Sequence, residues 1–65
     1  MIGGNLKRLR TEKGMTQQQL ADKVAVTQEM IAHIESGRKV PGVLLAWEIA
    51  QALGCTLDSL VMNRE

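Results

Sequence analysis

The sequence predicts an all-α domain, a compact bundle of five short helices. Residues that cap helices recur at short intervals, the apolar residues between them follow a helical period, and glycines stand where the helices would end. The chain has 65 residues. A domain of this size buries only about 60% of the surface that its unfolded chain exposes. We therefore expect residues 1–65 to form a single domain with a small core.

The second helix carries the strongest local signal. Thr16 and Gln19 form the Thr-x-x-Gln pattern of a capping box, which predicts a helix over 17–24. Its apolar face consists of Leu20, Ala21 and Val24.

The third helix follows almost at once. Thr27 is an N-cap residue and predicts a helix over 28–36, which Gly37 would end. Its inward residues are Ile31 and Ile34. Only residues 24–26 separate the two helices, a spacing typical of a helix-turn-helix, whose second helix can enter the major groove of DNA.

A first helix is expected over 4–13, with Gly14 after its end. Its inner stripe contains Ile2, Leu6 and Leu9. Arg10 borders that stripe, and a charge beside the core needs a partner. We expect Glu35 on the third helix to form a semi-buried ion pair with Arg10, and two solvated charges remain the alternative.

The fourth helix, over 42–53, has little polar surface. A helical wheel predicts an inward arc of Val43, Ala46, Ile49, Ala50 and Leu53. Leu44 falls on the outer side and Trp47 on a flank. Thr56 caps a fifth helix over 56–61. The fifth helix adds more apolar residues than the core needs, namely Leu57, Leu60, Val61 and Met62. We predict that Leu44, Trp47, Leu57 and Val61 form a face for a second copy or another protein.

Three motifs are more specific than the helical pattern. They are Gln-x-x-Leu-Ala (17–21), Val-Thr-x-x-x-Ile-x-x-Ile-Glu-x-Gly (26–37) and Ile-Ala-x-Ala-Leu-Gly (49–54). With them the chain resembles the phage-repressor Cro/CI (XRE) family from about Ile2 to Leu60. The resemblance implies a lambda-repressor-like fold, a DNA-binding regulator, and pairing of Arg10 with Glu35. Ala25 departs from the family, which usually has glycine there, and a positive φ would strain alanine by roughly 1 kcal/mol.

Four residues of the third helix face away from Ile31 and are expected to read bases: Gln28, Glu29, Ala32 and His33. The resemblance places Gln28 at a base-reading position, and a glutamine amide can pair with adenine. Glu29 can accept a hydrogen bond from cytosine N4, Ala32 can contact a thymine methyl, and His33 can donate to guanine or to a phosphate. A solvated helix face remains the alternative, above all for His33.

Phosphate contacts are expected at the N-termini of the second and third helices, where free N–H groups attract anions. The residues expected to make them are Gln17, Thr27, Ser36, Arg38 and Lys39. The family resemblance supports Gln17 in this role. The cations Lys7, Arg8 and Lys13 are expected to remain solvated.

The remaining composition excludes several classes. One histidine, one cysteine and scattered carboxylates match no catalytic or metal-binding pattern, so we expect no enzyme, no metal and no cofactor. Cys55 is expected to be a small, partly buried apolar residue, with a redox sensor as the alternative. No apolar run is long enough for a membrane span and no signal peptide is visible, so we expect no membrane contact and a cytoplasmic location.

The net charge is only +1, but residues 1–39 carry seven Lys/Arg against four Asp/Glu, and residues 40–65 carry one against three. The basic part contains the helix-turn-helix. We expect a sequence-specific double-stranded DNA-binding repressor, acting as a homodimer on a palindromic operator with half-sites about 34 Å apart. Two alternatives stay open: an antitoxin-like or adaptor-like module that binds a protein through helices four and five, and the N-terminal domain of a longer ligand-responsive regulator.

Overall fold

The computed structural model describes residues 2–62, which form five helices and no strand. The helices are α1 (Ile2–Glu12), α2 (Gln17–Lys23), α3 (Gln28–Glu35), α4 (Val43–Leu53) and α5 (Leu57–Val61). The predicted all-α class is confirmed, and the helix ends lie within two residues of the predicted ones. None of these helices is long and apolar enough to cross a membrane.

The predicted start of α1 was two residues late. The helix begins at Ile2, and Gly3 lies inside its first turn. A Cβ atom at Gly3 would stand 2.5 Å from the carbonyl oxygen of Ile34 and 2.9 Å from that of Glu35. The N-terminal turn of α1 therefore rests directly on the backbone at the end of α3, and only glycine permits this approach.

The caps form as their residue types predicted. The Thr16 hydroxyl accepts from the N–H of Gln19 at 3.0 Å, and the Gln19 side chain accepts from the N–H of Thr16 at 2.9 Å. The hydroxyls of Thr27 and Thr56 each accept from the N–H three residues later. The glycines after α1, α3 and α4 all have positive φ, as expected of residues that end helices.

The core consists of aliphatic side chains contributed by all five helices. Its buried members are Leu6, Leu20, Ala21, Val24, Ile31, Ile34, Ala46, Ile49, Ala50, Leu53 and Leu60. Because Trp47 is the only aromatic residue and lies outside this cluster, the core depends on close packing of small and branched side chains.

Two predictions about burial were wrong. Val43, expected inside, is 79% exposed, because it stands at the margin of the inward arc and in the first turn of α4, next to the open segment at Val40. Leu60, expected among the surplus apolar residues, is fully buried, because α5 packs on α1 and α4 and directs it into the core.

Candidate nucleic-acid interface

Two buried residues hold α3 against the rest of the bundle. Ile31 and Ile34 are fully buried, so the opposite side of the helix faces outward. Gln28 and Glu29 on that side are exposed, while Ala32 and His33 are half-buried. The four residues predicted to read bases therefore lie on the outer side of α3, with the two exposed ones in its first turn.

The turn before α3 has an unusual backbone. Ala25 has φ of 59°, in the left-handed region that L-residues rarely adopt. The N–H of Val26 donates to the carbonyl oxygen of Ala21 at 3.0 Å, which closes the turn on the end of α2. Ala25 thus has the positive φ that was expected to strain an alanine at this position, and the turn forms despite the alanine side chain.

A series of side-chain hydrogen bonds joins the exposed first turn of α3 to the interior of the bundle. Gln28 Nε2 donates to Gln17 Oε1 at 2.8 Å, and Gln17 Nε2 donates to Glu35 Oε1 at 3.0 Å. Gln17 was predicted as a phosphate contact reaching outward. In the structure Gln17 is half-buried, and its amide bridges Gln28 and Glu35. This bridge spans α2 and both ends of α3, and no local sequence pattern signals it.

This series of hydrogen bonds ends at a bidentate ion pair between Arg10 and Glu35. Arg10 Nε lies 2.6 Å from Glu35 Oε2, and Arg10 Nη2 donates to Glu35 Oε1 at 3.1 Å. The side chains are only 10% and 4% exposed, so the two charges compensate each other with little solvent. Arg10 Nη1 also donates to the carbonyl oxygen of Met15 at 2.7 Å. One guanidinium thus connects α1, the α1–α2 loop and α3.

The segment after α3 is folded back on the end of that helix. The N–H groups of Arg38 and Lys39 both donate to the carbonyl oxygen of His33, at 2.9 and 3.2 Å, and Gly37 allows this turn with φ of 84°. The Ser36 hydroxyl donates to the same carbonyl at 3.1 Å. Ser36, Arg38 and Lys39 are all exposed, close to the C-terminal end of α3.

The N-terminal end of α3 offers a different kind of contact. Thr27 is exposed, and its hydroxyl accepts from the N–H of Met30 at 3.1 Å. Its hydroxyl proton stays available for an anion near the helix N-terminus, where the dipole is positive. The Glu29 carboxylate places a negative charge in the same first turn of α3.

The cations of α1 lie outside the helix-turn-helix. Arg8 Nη1 lies 3.3 Å from Glu12 Oε2 in an exposed pair one turn apart, and Lys7 is exposed.

Cys55 is half-buried, and burial raises the pKa of its thiol, with a smaller opposing effect of the Lys13 charge. A thiol kept protonated in this way favours the packing interpretation of Cys55 over the redox one.

The four apolar residues predicted as a partner face on α4 and α5 differ in their exposure. Leu44 and Trp47 are exposed on α4, and Trp47 lines an open cleft beside Ala25. Leu57 is half-buried and packs against the core, and together with the exposed Val61 it lines a surface depression, which we call the apolar groove. This groove of about 470 Å³ is lined by Ile2, Val40, Pro41, Val43, Ala46, Leu57 and Val61.

These features define a helix-turn-helix domain. Two capped helices, α2 and α3, are joined by a short turn, and α3 is held by the buried Ile31 and Ile34 while its other side faces outward. The sequence also matches the HTH_3 helix-turn-helix family model over residues 6–60. The chain belongs to this family of DNA-binding transcriptional regulators, and the resemblance to the Cro/CI (XRE) family is confirmed.

A relative and two solved structures agree with this assignment. An uncharacterized HTH-type transcriptional regulator of Sinorhizobium fredii, y4dJ, is 39% identical over 61 residues, which cover 94% of this chain and 79% of the relative. The regulator of biofilm formation SinR, solved in complex with DNA, superimposes with a TM-score of 0.89 at 27% identity, covering 95% of this chain and all of that one. A SinR/SinI complex gives a TM-score of 0.91 at 26% identity, covering all of this chain and 64% of that one.

Proposed function

We propose that the protein is a sequence-specific transcriptional repressor that inserts α3 into the major groove of double-stranded DNA. The observation that supports this most directly is the hydrogen-bonded chain from Gln28 through Gln17 to Glu35. It holds an exposed amide at the tip of a helix whose opposite side is anchored in the core. Side chains fixed in this way suit base recognition, because less freedom is lost on binding.

Each residue of the outer face has a proposed partner. The Gln28 amide pairs with an adenine, since Oε1 and one N–H stay free of the bond to Gln17. Glu29 accepts from cytosine N4, Ala32 contacts a thymine methyl, and His33 donates to guanine or to a phosphate. This combination favours a half-site of mixed base composition.

Phosphate contacts on two sides would orient the helix in the groove. Thr27 and the N-terminus of α2, near Gln17, contact the backbone on one side. Ser36, Arg38 and Lys39 contact it on the other side. These contacts are independent of sequence, and they supply the salt-dependent part of the affinity.

We further propose that two copies bind a palindromic operator as a homodimer. The exposed Val43 and Val61 line the apolar groove, and the exposed Met62 follows Val61 in the chain, so this surface presents apolar side chains that a second copy would cover. The molecule measures 29 × 23 × 19 Å, so two copies side by side can place their α3 helices one DNA turn, about 34 Å, apart. A regulator of this kind acts in the cytoplasm.

The test is selection of binding sites from random duplex DNA, followed by affinity measurements on the enriched sequence. We expect a palindromic consensus, and we expect Gln28→Ala to weaken binding by about 1–3 kcal/mol while relaxing specificity at one base pair. Gln51→Ala is the matched control, because Gln51 is an exposed glutamine on α4. A selection with no enrichment, or equal effects of the two variants, would reject the proposed recognition helix.

A second candidate is a protein-interaction module. The apolar groove favours it, and a SinR/SinI complex shows a similar chain in a complex with another protein. The double variant Gln28→Ala, His33→Ala distinguishes the candidates. Loss of DNA binding with an unchanged partner complex would fit a DNA-binding regulator, whereas a partner complex in the absence of any DNA binding would favour the interaction module.

A further inference from the structure

Asn5 is a buried polar residue with no part in the proposed DNA contacts. It lies on α1 and is only 8% exposed. Its Nδ2 donates to the carbonyl oxygen of Leu60 at 2.9 Å and to that of Met62 at 2.8 Å. Both amide hydrogens are therefore used on the last turn of α5 and the residue after it, 55 and 57 positions away in sequence.

The element that Asn5 binds cannot be stable by itself. Helix α5 has five residues, far fewer than an isolated helix needs in water. Its N-terminus is capped by Thr56, and at its C-terminus Met62 adopts an extended backbone that ends the helix. The carbonyls in that last turn lack partners within the helix, so they need a donor from elsewhere. Asn5 supplies that donor, and the buried Leu60 supplies the apolar contact on the same side.

The position of α5 determines the shape of the apolar groove. Leu57 and Val61 form one wall, and Ile2 on α1, one turn before Asn5, lies on another. Because the two hydrogen bonds from Asn5 join α1 to α5, they fix the distance between these walls. The exposed Val61 lies between the two residues whose carbonyls Asn5 holds, and the exposed Met62 carries one of these carbonyls.

We propose that Asn5 is a positioning residue for the dimer interface: it locks α5 onto α1 so that the apolar groove has the shape that a second copy binds. This inference rests on the homodimer proposed above. Without the two hydrogen bonds, α5 opens locally while the helix-turn-helix, anchored by Ile31 and Ile34, keeps its structure. Dimerisation and binding to a full operator then weaken, and binding to a single half-site does not.

The test uses the full chain with Asn5→Ala and Asn5→Asp. The aspartate keeps the shape of asparagine but points carboxylate oxygens at two carbonyl oxygens. If Asn5 acts through its donors, both variants loosen α5, and Asn5→Asp is the more damaging change because it also places a buried negative charge beside the two carbonyl oxygens. Val24→Ala is the control, because Val24 is equally buried but lies at the end of α2.

Three measurements are made on each variant: amide hydrogen exchange by NMR, the dimer dissociation constant by sedimentation, and affinity for a half-site and a palindromic duplex. We expect exchange of the α5 amides to rise about tenfold or more in Asn5→Ala and further in Asn5→Asp, with α2 and α3 much less affected. The dimer dissociation constant should rise by a similar factor, with half-site affinity unchanged. Val24→Ala should change amide hydrogen exchange throughout the bundle, with no larger effect on α5 than on the other helices.

The outcomes separate the two proposals. Unchanged α5 exchange in both variants overturns the role of Asn5, whether or not the protein dimerises. Faster α5 exchange with unchanged dimerisation overturns the link between Asn5 and the interface. A wild-type chain that stays monomeric on a palindromic duplex overturns the proposed dimer, and with it the interface role of Asn5, while the exchange data still decide whether Asn5 holds α5.

Discussion

Replacing Ala25 with glycine should make the domain more stable. Ala25 lies in the turn between α2 and α3 with φ of 59°, and its side chain is exposed. The methyl group is therefore not part of the core, and its main effect is to make this backbone conformation unfavourable. Glycine at the same position adopts a positive φ without steric cost.

The size of the effect follows from two opposing contributions. The left-handed region costs an L-residue roughly 1–2 kcal/mol, and removing the methyl group relieves that strain. Glycine also gives the unfolded chain more freedom, which offsets about 0.4–1 kcal/mol. With the middle value of each range the net gain is about 0.8 kcal/mol, which for a domain of this size raises Tm by roughly 3–6 °C.

Thermal and urea unfolding followed by circular dichroism would measure this difference. Ala52→Gly is the matched control, because Ala52 lies inside α4, where glycine should cost about 1 kcal/mol or more. The two alanine-to-glycine changes should therefore have opposite signs. If Ala25→Gly lowers Tm as Ala52→Gly does, the turn is not strained and the reasoning fails.

Two further predictions concern α1. Gly3→Ala should cost about 1–3 kcal/mol, because its methyl group would collide with the backbone carbonyls at the end of α3. Gly4→Ala, which has nothing within 4 Å, should be neutral or stabilising in the same urea titration, and equal losses would contradict the close approach. Arg10→Met should cost about 3–5 kcal/mol, because the buried Glu35 carboxylate would keep only its bond to Gln17. Adding Glu35→Leu should recover part of that loss, and a double variant no more stable than Arg10→Met would show that the stranded carboxylate is not the cause.

Local features of the fold could be predicted from the sequence. A capping hydroxyl and the N–H it accepts from are three residues apart, so Thr16, Thr27 and Thr56 identify their helices without knowledge of the rest. The positive φ of Ala25 followed from the family pattern in the same local way. The ion pair between Arg10 and Glu35 could be predicted because a charge beside an apolar stripe requires a partner.

Other features that depend on how the helices meet could not be predicted. The bridging position of Gln17 depends on the crossing of α2 and α3, which brings Gln28 and Glu35 within reach of one amide. The start of α1 depends on the contact of Gly3 with α3, and the exposure of Val43 depends on what the segment before α4 leaves open. A helical wheel assigns a direction to each side chain, but it does not say whether another element lies there.

The two hydrogen bonds that link Gln28 to Glu35 through Gln17 also affect how easily the base specificity at position 28 can change. A glutamine fixed before binding avoids about 0.5–1.5 kcal/mol of side-chain ordering when it meets a base. A shorter or differently shaped residue at position 28 would lose its bond to Gln17 and leave that amide, and through it Glu35, less completely satisfied. If Gln28 reads a base as proposed, Gln28 and Gln17 are therefore expected to change together when related proteins acquire new operators.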